Sequence, residues 1–289
     1  MKSTMSRYID PGIADKLMSQ GNDIMGGQET KATLLFSDVR GFTTITETLG
    51  AQGTVALLNE YFDIMVEAIT EQEGIVDKFI GDAIMAGFGV PVAHDDDEDR
   101  AVRAAINMIK RLRDWNVQRE LDGKLPVDMG IGLNTDQVVS GNIGSSKRMD
   151  YTMIGDGVNL AARLESACKA YAARILISEF THQSLKGTYQ VRHIDEVIVK
   201  GKTEPVGVFE ILDYHTIETF PNLMETVGHF KEGRLHYVAG AWDRAIASFK
   251  QALSANESDY LSSIYIERCT KLKADAPKNW DGVWKFDSK

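Results

Sequence analysis

Apolar and polar positions change period repeatedly along the chain, and each change marks an element. KATLLFSD, residues 31–38, is an apolar run that turns polar at its end, the pattern of a buried strand delivering Ser37 and Asp38 to its tip. FTTITETLG reads as a short helix. From Gln52 to Gln72, apolar residues recur at Val55, Leu58, Tyr61, Phe62, Met65, Val66 and Ile69, helical spacing with one buried face, and Gly74 ends it. IVDKFI and AIMAGF then read as two strands around Gly81-Asp82, a dipeptide suited to a tight hairpin.

A second helix is expected from about Asp97 to Glu120, with Val102, Ala105, Ile106, Ile109 and Leu112 on one side. VDMGIGLN and QVVSGNIG read as separate strands, YTMIGDGVNLAARLESACKAY as a strand tip entering a helix, and ARILIS as another strand. A short helix and two strands, YQVRHIDEVIVKG and PVGVFEIL, follow. This irregular order predicts an α+β sheet with helices on one face, not an alternating Rossmann pattern. Residues 1–30 are polar and mixed, with a turn at Asp10-Pro11-Gly12 and a loop-like Gly26-Gly27, and read as an entry segment.

From about residue 215 the pattern is helical throughout. HFKEGRLHYVAGAWDRAIASFKQALSANESD reads as two helices around a glycine-containing turn. Gly233, Gly240, Ala245, Phe249 and Ala252 sit at the small and aromatic positions of one tetratricopeptide unit, although Glu257 stands where proline is usual. One such unit is not stable alone, so it must pack on the body or on a second subunit. The expected division is 1–30 entry segment, 31–212 body, 215–275 helical extension and 276–289 tail.

The chain has 289 residues and 43% hydrophobic positions, enough to bury a core. A formal charge of −10 argues against a broad nucleic-acid surface, while a local phosphate site remains compatible with it. Cys168 and Cys269 fit no zinc or redox spacing, and no apolar run approaches a membrane span, so a cytoplasmic protein without a membrane segment is expected.

Asp38 and Asp82 each end an apolar strand close to a glycine. Two carboxylates at neighbouring strand tips can hold Mg²⁺, which favours a few carboxylates plus phosphate oxygens; equally, Asp-Gly neighbours are ordinary turn chemistry. After Asp38, Arg40-Gly41-Phe42-Thr43 opens a helix whose free N–H groups can take a phosphate. Asn159 and Arg163 share one helix face, which taken alone is an amphipathic helix. The acidic run His94-Asp95-Asp96-Asp97-Glu98-Asp99 lacks the glycine and terminal acid of a calcium loop and reads as a solvated helix start.

LFSDVRGFT, VDKFIGDAIMA and YTMIGDGVNLAARLE, in that order, resemble the catalytic domain of class III nucleotidyl cyclases over roughly residues 30–212. The resemblance implies a ferredoxin-like βαββαβ core with a mixed sheet, a homodimer, and two Mg²⁺ or Mn²⁺ ions per site held by Asp38, Asp82 and the carbonyl of Val39. It implies that Gly41, Phe42 and Thr43 cradle phosphate, that Lys78 and Thr152 read the purine, and that Asn159 positions the ribose. Arg163 is expected to stabilise the reacting phosphorus, and Lys200 to meet the terminal phosphates.

Lys78 as donor and Thr152 as acceptor match adenine, so ATP is the expected substrate and cyclic AMP the product; guanylyl cyclase-like chains carry an acid at the position of Lys78. GTP as substrate, or a weakly catalytic dimerisation module, are the alternatives. In the family the aspartates of one subunit face the purine and transition-state residues of the other, which implies a two-fold dimer. RYIDPGIADKLMSQG resembles the stretch joining such domains to an upstream sensor, and the C-terminal helices either bind a protein partner or cap the body.

Overall fold

The computed structural model describes residues 26–145, 147–198, 205–277 and 279–283. The entry segment up to residue 25 and Lys200 lie outside the described residues.

Strand β1 (Gly26–Val39), helix α1 (Phe42–Thr70), strands β2 (Ile75–Ile80) and β3 (Ala83–Phe88), helix α2 (Asp97–Leu121) and strand β4 (Met129–Ser145) form a βαββαβ unit. There follow β5 (Arg148–Ile154), α3 (Asp156–Tyr171), β6 (Ile175–Ser178), α4 (Glu179–Ser184), β7 (Val191–Ile198) and β8 (Pro205–Ile211). The eight strands make one sheet in the order β2-β3-β1-β4-β6-β8-β7, with β5 paired to β4 outside this path. Only β4 and β6 pair in parallel among the described strands, so the sheet is mixed as expected.

β1 explains the layering. Leu35 and Val39 join a core built with Leu57, Tyr61 and Met65 of α1 and Val102, Ala105 and Met108 of α2. Ala32 and Leu34, on the other face, pack with Ala161 of α3. Helices therefore cover both faces, not one, because β1 and β4 are apolar on both sides. Gly130 and Gly132 let α3 approach: a Cβ at Gly132 would fall on the backbone of Ala161 and Glu165.

Three expectations on local structure are corrected. Gly26-Gly27 is strand, not loop, paired with Asn142 and Gly141, because β1 runs the full length of β4 from Gly26 to Val39. For the same reason VDMGIGLN, from its Met129 onward, and QVVSGNIG lie within one continuous strand. Val55 is 58% exposed, since the buried face of α1 runs through Leu57, Tyr61, Met65 and Ala68 beyond a break at Gly50, whose φ is 67° and ψ 178°.

The extension contains three helices among the described residues, α5 (Leu223–Val238), α6 (Trp242–Ala255) and α7 (Tyr260–Ala274), where two were expected. They share a core with the body: Phe230, Phe249 and Tyr265 pack with Leu160, Tyr171 and Ile194. Two buried ionic clusters sit in the same seam. Arg192 of β7 donates to Glu210 at 2.7 Å and to Asp259 at 2.7 Å, and Arg268 of α7 reaches Asp195 at 2.6 Å. These helices thus pack on the chain's own sheet edge. Among the described residues no helix is long and apolar enough to cross a membrane.

Candidate active site

The end of β1 and the β2–β3 hairpin meet because Ser37 pairs with Ile84 while Gly81, at φ 67°, closes the turn that carries Asp82. The Val39 N–H donates to Asp82 Oδ2 at 3.2 Å, which brings the second carboxylate against the first. Burial, then a shared hydrogen bond with Asp82 and its charge, push Asp38 up to about 6. Two carboxylates held this close favour a divalent cation between them and phosphate oxygens.

The local cation does not relieve this crowding. Arg40 turns away, donating to the Ala173 carbonyl and lying 3.7 Å from Asp128. Among the described residues no group of three or more His, Cys, Asp or Glu side chains is arranged to hold a metal, and the acids brought together at this strand tip are the two carboxylates Asp38 and Asp82. That set suits Mg²⁺ or Mn²⁺ completed by a nucleotide's oxygens. Gly41, at φ 66°, starts α1 without a side-chain cap, which leaves the N–H groups around Phe42 and Thr43 at the same end of β1.

A second cluster forms where β2 faces β5. β2 carries a bulge between Val76 and Lys78, and the extra residue is Asp77. The Asp77 carboxylate, 1% exposed, accepts from Thr152 Oγ1 at 2.7 Å and from the Met153 N–H at 3.2 Å. Its other oxygen lies 3.3 Å from Lys78 Nζ and has no hydrogen-bond donor in proper geometry. Lys78 and Thr152, 74 positions apart, are thereby brought together.

Asn159 and Arg163 are both exposed on α3 and have no side-chain hydrogen bond or ion pair among the described residues. Glu165 occupies the opposite side of that helix, against Gly130. Burial, then the Asp38 charge, raise Glu165 to about 7. Sequence reasoning passed over Glu165 and Asp77. Charge inside an otherwise apolar strand was the available signal for Asp77, and the i+4 relation to Ala161 on the packed face was the signal for Glu165.

The acidic run opens α2 as expected, but Asp97, Glu98 and Asp99 within it are buried, not solvated. Asp99 is 2% exposed and accepts from the Lys186 and Gly187 N–H groups and the Tyr189 hydroxyl at 2.8–3.0 Å. Lys31 pairs with Glu98 at 2.5 Å, and Asp96 binds Arg100 at 2.7 Å and Arg103 at 2.9 Å. These carboxylates lock the start of α2 to the sheet and to the α4–β7 loop.

This arrangement is that of a nucleotidyl cyclase: residues 26–216 match the adenylate and guanylate cyclase catalytic domain, and the chain belongs to that family. It is 33% identical over 279 residues to the terminal-differentiation specific adenylate cyclase of Dictyostelium discoideum, covering 93% of this chain and 13% of that protein. It is 37% identical over 218 residues to the adenylate cyclase of Anabaena cylindrica, covering 72% and 42%. The chain therefore spans less than half of the length of either relative. Among solved structures, the adenylyl cyclase CyaB from P. aeruginosa superposes with a TM-score of 0.61 at 38% identity, over 65% of this chain and 97% of that one. The guanylyl cyclase Cya2 gives 0.60 at 40% identity, over 65% and 94%. The fold is common to both nucleotide specificities, so specificity has to be argued from side chains.

Proposed function

We propose that this chain is the catalytic part of an adenylyl cyclase that converts ATP to 3′,5′-cyclic AMP and pyrophosphate at a site shared between two copies. The observation that carries the choice of ATP is the Lys78–Asp77–Thr152 cluster. A lysine ammonium only donates, which suits adenine N1, while guanine presents an N–H there. Mismatching one buried polar group costs about 1–3 kcal/mol, enough for a marked preference without absolute exclusion. The 40% identity to a guanylyl cyclase keeps GTP as the second reading, and Lys78 stands against it.

Asp38, Asp82 and the Val39 carbonyl would hold two Mg²⁺ or Mn²⁺ ions, which when bound neutralise phosphate charge and make the 3′-hydroxyl a better nucleophile. The N–H groups of Gly41, Phe42 and Thr43 take the phosphates at the start of α1. Asn159 hydrogen-bonds the ribose and holds the 3′-hydroxyl in line with the α-phosphate. Arg163 offers a planar pair of donors to the charge developing there, and Lys200 meets the departing pyrophosphate. As the 3′-oxygen bonds the α-phosphorus, the bond from that phosphorus to the oxygen bridging to the β-phosphate breaks; the 3′-hydroxyl proton passes to solvent water and pyrophosphate carries away the displaced electron pair.

The geometry of α3 supports a shared site. Glu165 senses Asp38, and Arg163, two residues earlier, lies about 200° around the helix, so it faces away from its own chain's aspartates. The apolar residues Phe79, Ile80 and Ile154, 48–53% exposed, suit a face covered by a second copy. We read the three C-terminal helices as a tetratricopeptide-like unit seated on the sheet edge, and a cytoplasmic site of action fits the ATP substrate. Incubating the purified chain with ATP or GTP and Mg²⁺ or Mn²⁺ tests the reading: cyclic AMP and pyrophosphate are expected, and cyclic GMP as the main product, or no cyclic product, overturns it.

A further inference from the structure

Threonine is an ambiguous reader. Its hydroxyl carries one hydrogen and two lone pairs, so left to rotate it can accept from the amino group of adenine or donate to the carbonyl of guanine. Lys78 fixes one edge of the base, but nothing in Thr152 itself fixes the other.

We propose that Asp77 is a positioning residue that commits the Thr152 hydroxyl hydrogen, so that Thr152 faces the purine only as an acceptor. The inference rests on the reading of Lys78 and Thr152 as the base-reading pair. A carboxylate only accepts, so in the 2.7 Å contact from Thr152 Oγ1 to Asp77 Oδ2 the hydrogen belongs to Asp77. What Thr152 has left are lone pairs. These match the adenine amino group and repel the guanine carbonyl.

Three features hold Asp77 to this task. The bulge at Val76/Lys78 breaks the alternation that would send neighbouring side chains to opposite faces, so Asp77 and Lys78 act on the same place. The Met153 N–H donates to the same carboxylate oxygen at 3.2 Å, which ties Asp77 to the strand that carries Thr152. At 1% exposure the carboxylate is out of reach of bulk water, which could otherwise offer the threonine a donor as readily as an acceptor. The remaining oxygen lies 3.3 Å from Lys78 Nζ, whose own charge makes it a donor whatever stands at 77. Asp77 thus sets only the acceptor half of the hydrogen-bond pattern, through Thr152.

The test is the ratio of kcat/KM for ATP to kcat/KM for GTP in the full chain with Mn²⁺, for wild type, Asp77→Ala, Thr152→Ala and the double variant. This ratio does not depend on how much of a preparation is folded. Asp77→Ala removes the acceptor of the Thr152 hydrogen and frees the hydroxyl to donate, so the ratio should fall about tenfold, within the range for one mismatched buried polar group. In the Thr152→Ala background the same change should leave the ratio where it was, because Asp77 acts through Thr152. Where Asp77→Ala yields no folded protein, Asp77→Val serves the same comparison. A purely structural role lowers both nucleotides together and leaves the ratio fixed, which overturns the proposal while the adenylyl reading stands. A wild-type chain that prefers GTP overturns both.

Discussion

The division of labour on α3 makes the shared site open to a direct experiment. Asp82→Ala removes one of two carboxylates, and Arg163→Ala removes the cation proposed to face the reacting phosphate; on that proposal each should cost at least about 100-fold in kcat, the scale for loss of one such group. Arg163 is exposed and on the far side of its helix from Glu165, so within one chain it does not meet Asp38 and Asp82. A dimer of one Asp82→Ala and one Arg163→Ala chain then has one site with both defects and one with neither. Equal amounts of the two variants, exchanged at random, give about half mixed dimers with one of two sites intact, or about a quarter of wild-type activity. Coexpression with two different tags and purification on both should raise that to about half. Cyclic AMP formation is the assay, read against each parent alone. If the doubly tagged dimer is no more active than its parents, each chain supplies a whole site and the two-copy reading fails.

Three further outcomes follow from the same geometry. Asp38 titrates at about 6 when folded, above its ordinary value of 3.8, so the folded protein holds that proton more tightly and loses stability as pH rises through that window. Asp82→Asn should therefore stabilise the metal-free protein at pH 7.5 by about 1 kcal/mol, discounted for solvent, and hardly at pH 4; thermal unfolding at the two pH values checks this, and equal shifts at both count against it. Arg192→Ala strands Glu210 and Asp259 in the seam between body and extension and should cost about 3–5 kcal/mol, seen as a drop in Tm of roughly 10 °C; a change under about 1 °C contradicts a single folded unit. Lys78→Glu exchanges a donor for an acceptor at the base edge and should shift preference from ATP toward GTP by at least about tenfold in competing-nucleotide assays.

The local period was enough to place the parts of the site that sit on strongly patterned elements. KATLLFSD carries Asp38 because a strand apolar on both faces ends in polar residues, and the Gly81-Asp82 turn carries its partner because only a tight hairpin joins IVDKFI to AIMAGF. Asn159 and Arg163 were legible as one helix face for the same reason. Gly26 and Gly27 were not legible as strand, since glycine has no side chain to show a period. What makes them strand is the long partner β4, which lies more than a hundred residues away in sequence.

Charge was the least legible feature, because the sequence shows a residue's type but not what surrounds it. The run from Asp95 to Asp99 and the single Asp77 look alike as letters. One becomes a buried anchor through backbone donors contributed by residues 186 and 187, and the other a neighbour of Thr152 through a one-residue bulge. The net charge of −10 misleads in the same way. It excludes a broad phosphate-binding surface, yet it says nothing about a site where two aspartates are crowded together and cations at 78 and 163 come from separate elements. A triphosphate responds to the local field within about one Debye length, roughly 8–10 Å, and within that distance the placement of a few side chains outweighs the sum over the chain.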